Sequence, residues 1–217
     1  MGSFIRCPRI LVSLIAFLTF SGCTAFETRV DSGFSYQSFP TAKGTATAGA
    51  GSTIAFRDSS LALAGPGIST GEALRSVKLA DGDLSLRDIT ETKGTVRIIS
   101  IVPSLDTKVC EQQTHYLSEK NNGLDAKVNL YTISVDTPFA QDRFAKEAKI
   151  DNVTFLSDYR GGEFGRTHGL LLDGPHLLAR AVMVVDKNNV LRYLQITPNL
   201  ANMPDMEAAF AAARALL

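Results

Sequence analysis

A chain of 217 residues with 22 basic and 22 acidic side chains has no net charge and no basic run, which argues against nucleic-acid binding. Its three cysteines, Cys7, Cys23 and Cys110, are too few for a disulfide framework. None has CxxC spacing, so neither a zinc ribbon nor a dithiol redox centre is encoded.

The N-terminus reads as a targeting segment. Arg6 and Arg9 supply a positive region, and "ILVSLIAFLTF" over residues 10–20 is uncharged. That run is shorter than the roughly 20 apolar residues a spanning helix needs, and it fits a signal peptide. "FSGC" over residues 20–23 resembles the lipobox of bacterial lipoproteins, although Phe20 stands where that motif usually has a leucine-like residue. The resemblance implies cleavage before Cys23 and lipidation of that cysteine; an ordinary secretory signal and an uncleaved anchor are the rival readings. "TAKGTATAGAGST" over residues 41–53 has little apolar bulk and reads as flexible tether. The expected organisation is a signal peptide over 1–22, a lipidated Cys23 with a linker over 23–53, and a folded domain over 54–217. Such a protein would sit in the cell envelope, held to a membrane by its lipid and facing the periplasm or the exterior.

"TIAFRDSSLALAG" predicts a short hairpin turning at "RDSS", and "SVKLADGDLSL" a second turn near Asp81 and Gly82. "TVRIISIV", residues 95–102, is β-branched and nearly continuous, as a buried central strand is. Pro103 ends it, and a helix is expected over 108–120 with Val109, Tyr116 and Leu117 on one face. "VNLYTISV" predicts a second buried strand, "TPFAQDRFAKEA" an amphipathic helix opening on proline, and "NVTFLSD" a third strand. "ARAVMVVD" and "VLRYLQI" pair as a hairpin across "KNN". A closing helix from about Pro204 places Met206, Phe210, Ala213 and Leu217 on one face. Alternating strands and helices give a parallel half and the hairpin an antiparallel half. The fold class is therefore α/β: a thioredoxin-like fold, with a mixed central sheet flanked by helices and an N-terminal β-hairpin.

Pro103, Thr107 and Cys110 have the spacing P-x-x-x-T-x-x-C. A cysteine in the first turn of a helix lies among unpaired N–H groups, which favour thiolate. Thr107, one turn earlier, can direct its hydroxyl at the same point, and Pro103 can shield it from solvent. Together these groups suit attack on an oxygen–oxygen bond. A buried structural cysteine is the competing reading of Cys110 alone.

The wider sequence resembles the bacterial thiol peroxidases, a branch of the peroxiredoxins usually described as atypical two-cysteine enzymes. The resemblance runs from about Thr53 to Leu217 through "PSLDTKVC", "SVDTPFAQDRF" and "EFGRTHGLLLDGPHLLARAVMVVD". It implies that Cys110 is the peroxidatic nucleophile, that Thr107 hydrogen-bonds thiolate and peroxide, and that Arg180 favours the thiolate and orients the substrate. It also implies a preference for organic hydroperoxides, a homodimer formed through an edge near the active site, and no metal or organic cofactor. The family's usual resolving cysteine follows "QDRF"; here that position is Ala145. The expected chemistry is thus one-cysteine, with an external thiol reductant, either a thioredoxin-like protein or a small thiol, acting on the sulfenic acid. A peroxide sensor without turnover and a thioredoxin-like binding module are the alternatives. Among other residues, His115 is read as exposed, Asp106 as a turn or capping residue, and Phe139 and Phe144 as core or dimer contacts; His168 and His176 have no metal-ligand partners nearby.

Overall fold

In a computed structural model, residues 32–217 are described together with Met1 and Gly2. The expected signal peptide and Cys23 lie outside the described residues.

The N-terminal hairpin forms as the sequence predicts. β1 (Thr53–Phe56) and β2 (Ser59–Ala64) are antiparallel, and Phe56 opposes Ser59 across a two-residue turn at Arg57 and Asp58. β3 (Lys78–Ala80) and β4 (Leu86–Asp88) form the second ribbon. The apolar run becomes β5 (Arg97–Ile101), followed by α1 (Lys108–Glu119), β6 (Asn129–Ser134), α2 (Pro138–Ala148) and β7 (Thr154–Ser157). A short α3 (Glu163–His168) leads to two brief strands, β8 (Leu171–Leu172) and β9 (Leu177–Leu178). The hairpin β10 (Ala181–Val185) and β11 (Leu191–Ile196) and then α4 (Met206–Arg214) complete the domain.

Seven strands form one mixed sheet in the order β11-β10-β5-β6-β7-β3-β4. β5, β6 and β7 run parallel, and β10 lies antiparallel to β5. Every residue of β5 and β10 is buried, as their continuous apolar runs require in a sheet covered on both faces. Alternation along these strands feeds two cores. Ile99, Ile101, Ala181 and Met183 pack with Phe164, Leu171 and Leu178 on one face. Ile98, Val182 and Val184 pack with Leu117, Met206, Phe210 and Ala213 on the other. Leu217, expected on this second face, is 49% exposed, because α4 stops at Arg214. β1, β2, β8 and β9 form a separate four-stranded sheet that the sequence reading did not anticipate.

The tether expectation needs correction over its described part. Residues 32–53 lie along the domain. Ala42 N–H donates to the Met203 carbonyl, Ala46 N–H to Ile196, and Gly49 N–H to Gly169. The glycine and alanine content that suggests flexibility instead permits close backbone contact. A Cβ on Gly169 would lie 2.4 Å from Gly49 N, and one on Gly67 would lie 2.4 Å from Ala48 O.

His168 fastens the loop before β3 to α3. It is fully buried, its Nδ1–H donates to the Phe164 carbonyl (2.9 Å), and its Nε2 accepts from Arg75 N–H (3.2 Å). Burial, helped by the charge of Arg75, lowers its pKa from 6.5 to about 4 against the opposing pull of the Phe164 carbonyl. The folded value lies below the unfolded one because the fold holds the neutral ring. This contribution is therefore complete above pH 6.5 and is lost as pH falls towards 4. We expect urea unfolding between those limits to show a stability loss reaching roughly 3 kcal/mol at the acid end. His168→Gln should flatten the pH dependence; an unchanged slope would show that another group titrates.

Candidate active site

Three loops meet beyond the carboxyl ends of β5, β6 and β7, and the Pro103–Cys110 motif lies in the first. Thr107 is the N-cap of α1, with extended backbone (φ −133°, ψ 142°). Its hydroxyl makes no capping bond to the helix. It donates instead to Cys110 Sγ at 2.9 Å. Cys110 is the third residue of α1 and is fully buried, packed with Val102, Leu105, Phe144 and Phe155. Pro103 is buried at the end of β5. Asp106, expected in a turn or as a cap, lies in the turn just before Thr107, which takes the cap position.

Arg180 comes from the far side of the sheet centre, one residue before β10. Its Nη2 lies 3.3 Å from Cys110 Sγ. Its Nε donates to the Leu200 carbonyl and its Nη1 to Gln113 Oε1, both at 2.9 Å. Arg180 is 2% exposed, so it is not a surface ion-pair residue. Among the described residues it forms no ion pair: its polar contacts there are a carbonyl, an amide and the sulfur. A buried guanidinium without a carboxylate partner directs its charge at the sulfur. The structure thus brings Thr107, Cys110 and Arg180 together at one atom.

Two residues of this assembly escaped the sequence reading. Gln113 is fully buried. Its Oε1 receives Arg180, while its Nε2 donates to Ser100 Oγ (2.8 Å) and to the Ala181 carbonyl (3.1 Å). Its signal was a glutamine three residues after Cys110 and four before Leu117, on the buried stripe of α1. Asp136 follows β6. Its carboxylate accepts from Ser104 Oγ and from Leu105 N–H, each at 2.7 Å, so it holds the loop that carries Thr107. Its signal was an acid just beyond the carboxyl end of a buried strand.

His115 corrects an expectation: it is 2% exposed, not on the surface. Phe34 stacks on its ring, so its partner belongs to the segment read as tether. Phe144 is partly buried and packs against the Cys110 cluster, whereas Phe139 is 65% exposed. Ala145 lies in intact α2, and among the described residues Cys110 is the single free cysteine. Those residues include no cluster of three or more metal-ligating side chains.

A thioredoxin-like sheet that presents a buried cysteine at the start of α1, held by a threonine hydroxyl and an arginine, defines a protein of the peroxiredoxin class. The Redoxin family model matches residues 69–210. A thiol peroxidase of Streptococcus pneumoniae is 39% identical over 163 residues, covering 75% of this chain and 99% of its own. A thiol peroxidase of Staphylococcus saprophyticus is 39% identical over 161 residues, covering 74% and 97%. Among solved structures, a peroxiredoxin-like protein from Aquifex aeolicus superposes with a TM-score of 0.73 at 30% identity, over 80% of this chain and all of that one. The chain belongs to the thiol peroxidase family of the peroxiredoxins.

Replacing Gln113 by methionine, of similar length, would strand Arg180 Nη1 and Ser100 Oγ in a buried site. We expect a loss of roughly 1–3 kcal/mol in urea unfolding together with about a tenfold slower oxidation of Cys110 by peroxide. A loss of stability with no change in that rate would mean that Gln113 does not position Arg180.

Proposed function

We propose that the protein reduces hydroperoxides at Cys110, with an external thiol as reductant. The observation that carries this reading is the convergence of the Thr107 hydroxyl and the Arg180 guanidinium on one buried sulfur. In this scheme the Cys110 thiolate attacks the outer oxygen of the hydroperoxide. The oxygen–oxygen bond breaks, sulfur loses two electrons, and the departing alkoxide takes up a proton to leave as alcohol, or as water when the substrate is hydrogen peroxide. Thr107 hydrogen-bonds the sulfur and the incoming peroxide. Arg180 favours the thiolate and stabilises the charge that grows on the leaving oxygen. Pro103, buried just after β5, shields the sulfur from the strand side.

The sulfenic acid then meets a first external thiol. A sulfur–sulfur bond forms and water leaves; a second thiol attacks the sulfur of the first, Cys110 departs as the leaving group, and a disulfide of the two external thiols is released. Ala145, in place of a resolving cysteine, supports this one-cysteine route. Organic hydroperoxides are the preferred substrates in this reading. The exposed Phe139, at the start of α2 and beside the Asp136 that holds the active-site loop, supports a homodimer formed at that edge. The lipobox-like "FSGC" supports a lipid anchor on Cys23 in the cell envelope. Among the described residues no helix is long and apolar enough to cross a membrane.

Steady-state consumption of cumene hydroperoxide with a small thiol tests the function. Cys110→Ser should abolish it, and Arg180→Met should lower the rate constant for Cys110 oxidation by about a hundredfold or more. One stoichiometric burst without recycling would favour the sensor, and an unreactive Cys110 the binding module. Mass spectrometry after one equivalent of peroxide should find no stable internal disulfide; such a bond would end the one-cysteine scheme.

A further inference from the structure

The match to the S. pneumoniae enzyme covers nearly all of that protein yet leaves a quarter of this chain outside it. The described segment ahead of β1 is not idle: residues 32–39 run along α1, the helix that carries Cys110. Gln37 and Gln112 form a reciprocal pair, in which Gln37 N–H donates to Gln112 Oε1 (2.6 Å) and Gln112 Nε2 donates to the Gln37 carbonyl (3.0 Å). One turn on, the Phe34 ring lies on His115 with centroids 3.9 Å apart and planes inclined by 14°. One turn further, Glu119 receives Ser32 Oγ, Tyr36 Oη (2.8 Å) and His115 Nδ1 (2.7 Å). Burial pushes the Glu119 carboxyl up, but the three hydrogen bonds outweigh it and hold the pKa below its ordinary value.

Residues 112, 115 and 119 recur at helical spacing and form one stripe. Cys110, Gln113, Thr114 and Leu117 form the buried stripe facing the sheet. The helix is therefore gripped from both sides. The grip extends to α2: His115 meets Phe144 edge-on at 6.5 Å, and a cavity of about 230 Å³ lies between Ser32, Phe34, Glu111, Phe144 and Glu147. Phe144 in turn packs against the Cys110 cluster and is the neighbour of Ala145.

We propose that residues 32–39 form a clamp on α1 that holds Cys110 in its peroxide-reactive geometry and restricts resolution of the oxidised sulfur to a low-molecular-weight thiol. The inference rests on the hydroperoxide reading of Cys110 and specifies the class of its reductant. Cys110 is fully buried, so a protein-sized thiol reaches it only if α1 moves away from the sheet, and the three contacts with the clamp oppose that movement. A small thiol needs only a local opening beside the exposed Thr107. It forms a mixed disulfide with Cys110 as water leaves, and a second small thiol releases the symmetrical disulfide. Phe34, Gln37, His115 and Glu119 are positioning residues in this scheme, since none touches the sulfur.

The test uses the full chain and compares labelling of reduced Cys110 by a small methanethiosulfonate and by a bulky maleimide, alongside its oxidation by hydrogen peroxide. Phe34→Ala should raise the bulky-to-small labelling ratio about tenfold while slowing peroxide oxidation about tenfold. Opposite shifts of that kind are not produced by a uniform loss of stability. A ratio unchanged within about twofold, in a variant with a native far-UV spectrum, would overturn the clamp. Should Phe34→Ala not fold, the double variant Ser32→Ala/Tyr36→Phe keeps the stacked ring and cuts two bonds to Glu119. It should raise the ratio about threefold, and a flat ratio there overturns the proposal equally. In the unaltered chain, a thioredoxin-type protein dithiol that recycles oxidised Cys110 as fast as a small thiol would also overturn it. A Cys110 that labels in the expected ratio but ignores peroxide would overturn the hydroperoxide reading on which the reductant assignment rests.

Discussion

The site depends on one buried charge, the guanidinium of Arg180 beside the sulfur of Cys110. Burying an unpaired cation is costly, and the fold offsets that cost with neutral acceptors in place of a carboxylate. Leu200 supplies a carbonyl and Gln113 an amide oxygen. A carboxylate in either place would stabilise the arginine more strongly but would also neutralise much of the field that acts on the sulfur. The neutral partners leave Nη2 of the guanidinium facing the sulfur.

The rest of the architecture keeps those partners in place. Leu200 N–H donates to the Ala55 carbonyl, and Ala55 N–H donates to Pro198, so β1 fixes the loop whose carbonyl receives Arg180. The small four-stranded sheet therefore reaches the chemistry through two backbone bonds. From the opposite direction, Asp136 links the end of β6 to the loop after β5, and its own carbonyl accepts from Ser157 Oγ at the end of β7. Three parallel strands thus hold one loop, and that loop sets where the Thr107 hydroxyl points. Thr107 gives up the usual capping bond so that its proton is available to sulfur.

Strands β5, β6, β7 and β10 were legible because a strand buried on both faces is apolar almost throughout. α1 and α2 were legible from proline and spacing. The four-stranded sheet was not, because β8 and β9 contribute two residues each and carry no measurable alternation. Residues 41–53 were misread because small side chains are ambiguous. The same glycines that let a linker wander let two backbones touch, and only the positions of Gly67 and Gly169 decide between them. His115 was misread because it lies five residues after Cys110, off that helical face, while the ring that covers it, Phe34, comes from a segment distant along the chain. Pro103, Thr107, Cys110 and Arg180 were named from the sequence, whereas Gln113 and Asp136 show their roles only through partners distant along the chain.

The grip on α1 and the alanine at position 145 are consistent with each other. A cysteine in α2 can resolve a sulfenic acid on α1 only if one of the two helices gives way, so a two-cysteine scheme favours helices that open readily. On the one-cysteine scheme proposed for Cys110, a chain with Ala145 would gain nothing from that opening, and exposing the oxidised sulfur would leave it open to further oxidation. Selection against opening then favours contacts that close the two helices together. The Phe34–His115 stack, continued by the edge-on contact of His115 with Phe144, is a contact of that kind and reaches within one residue of Ala145.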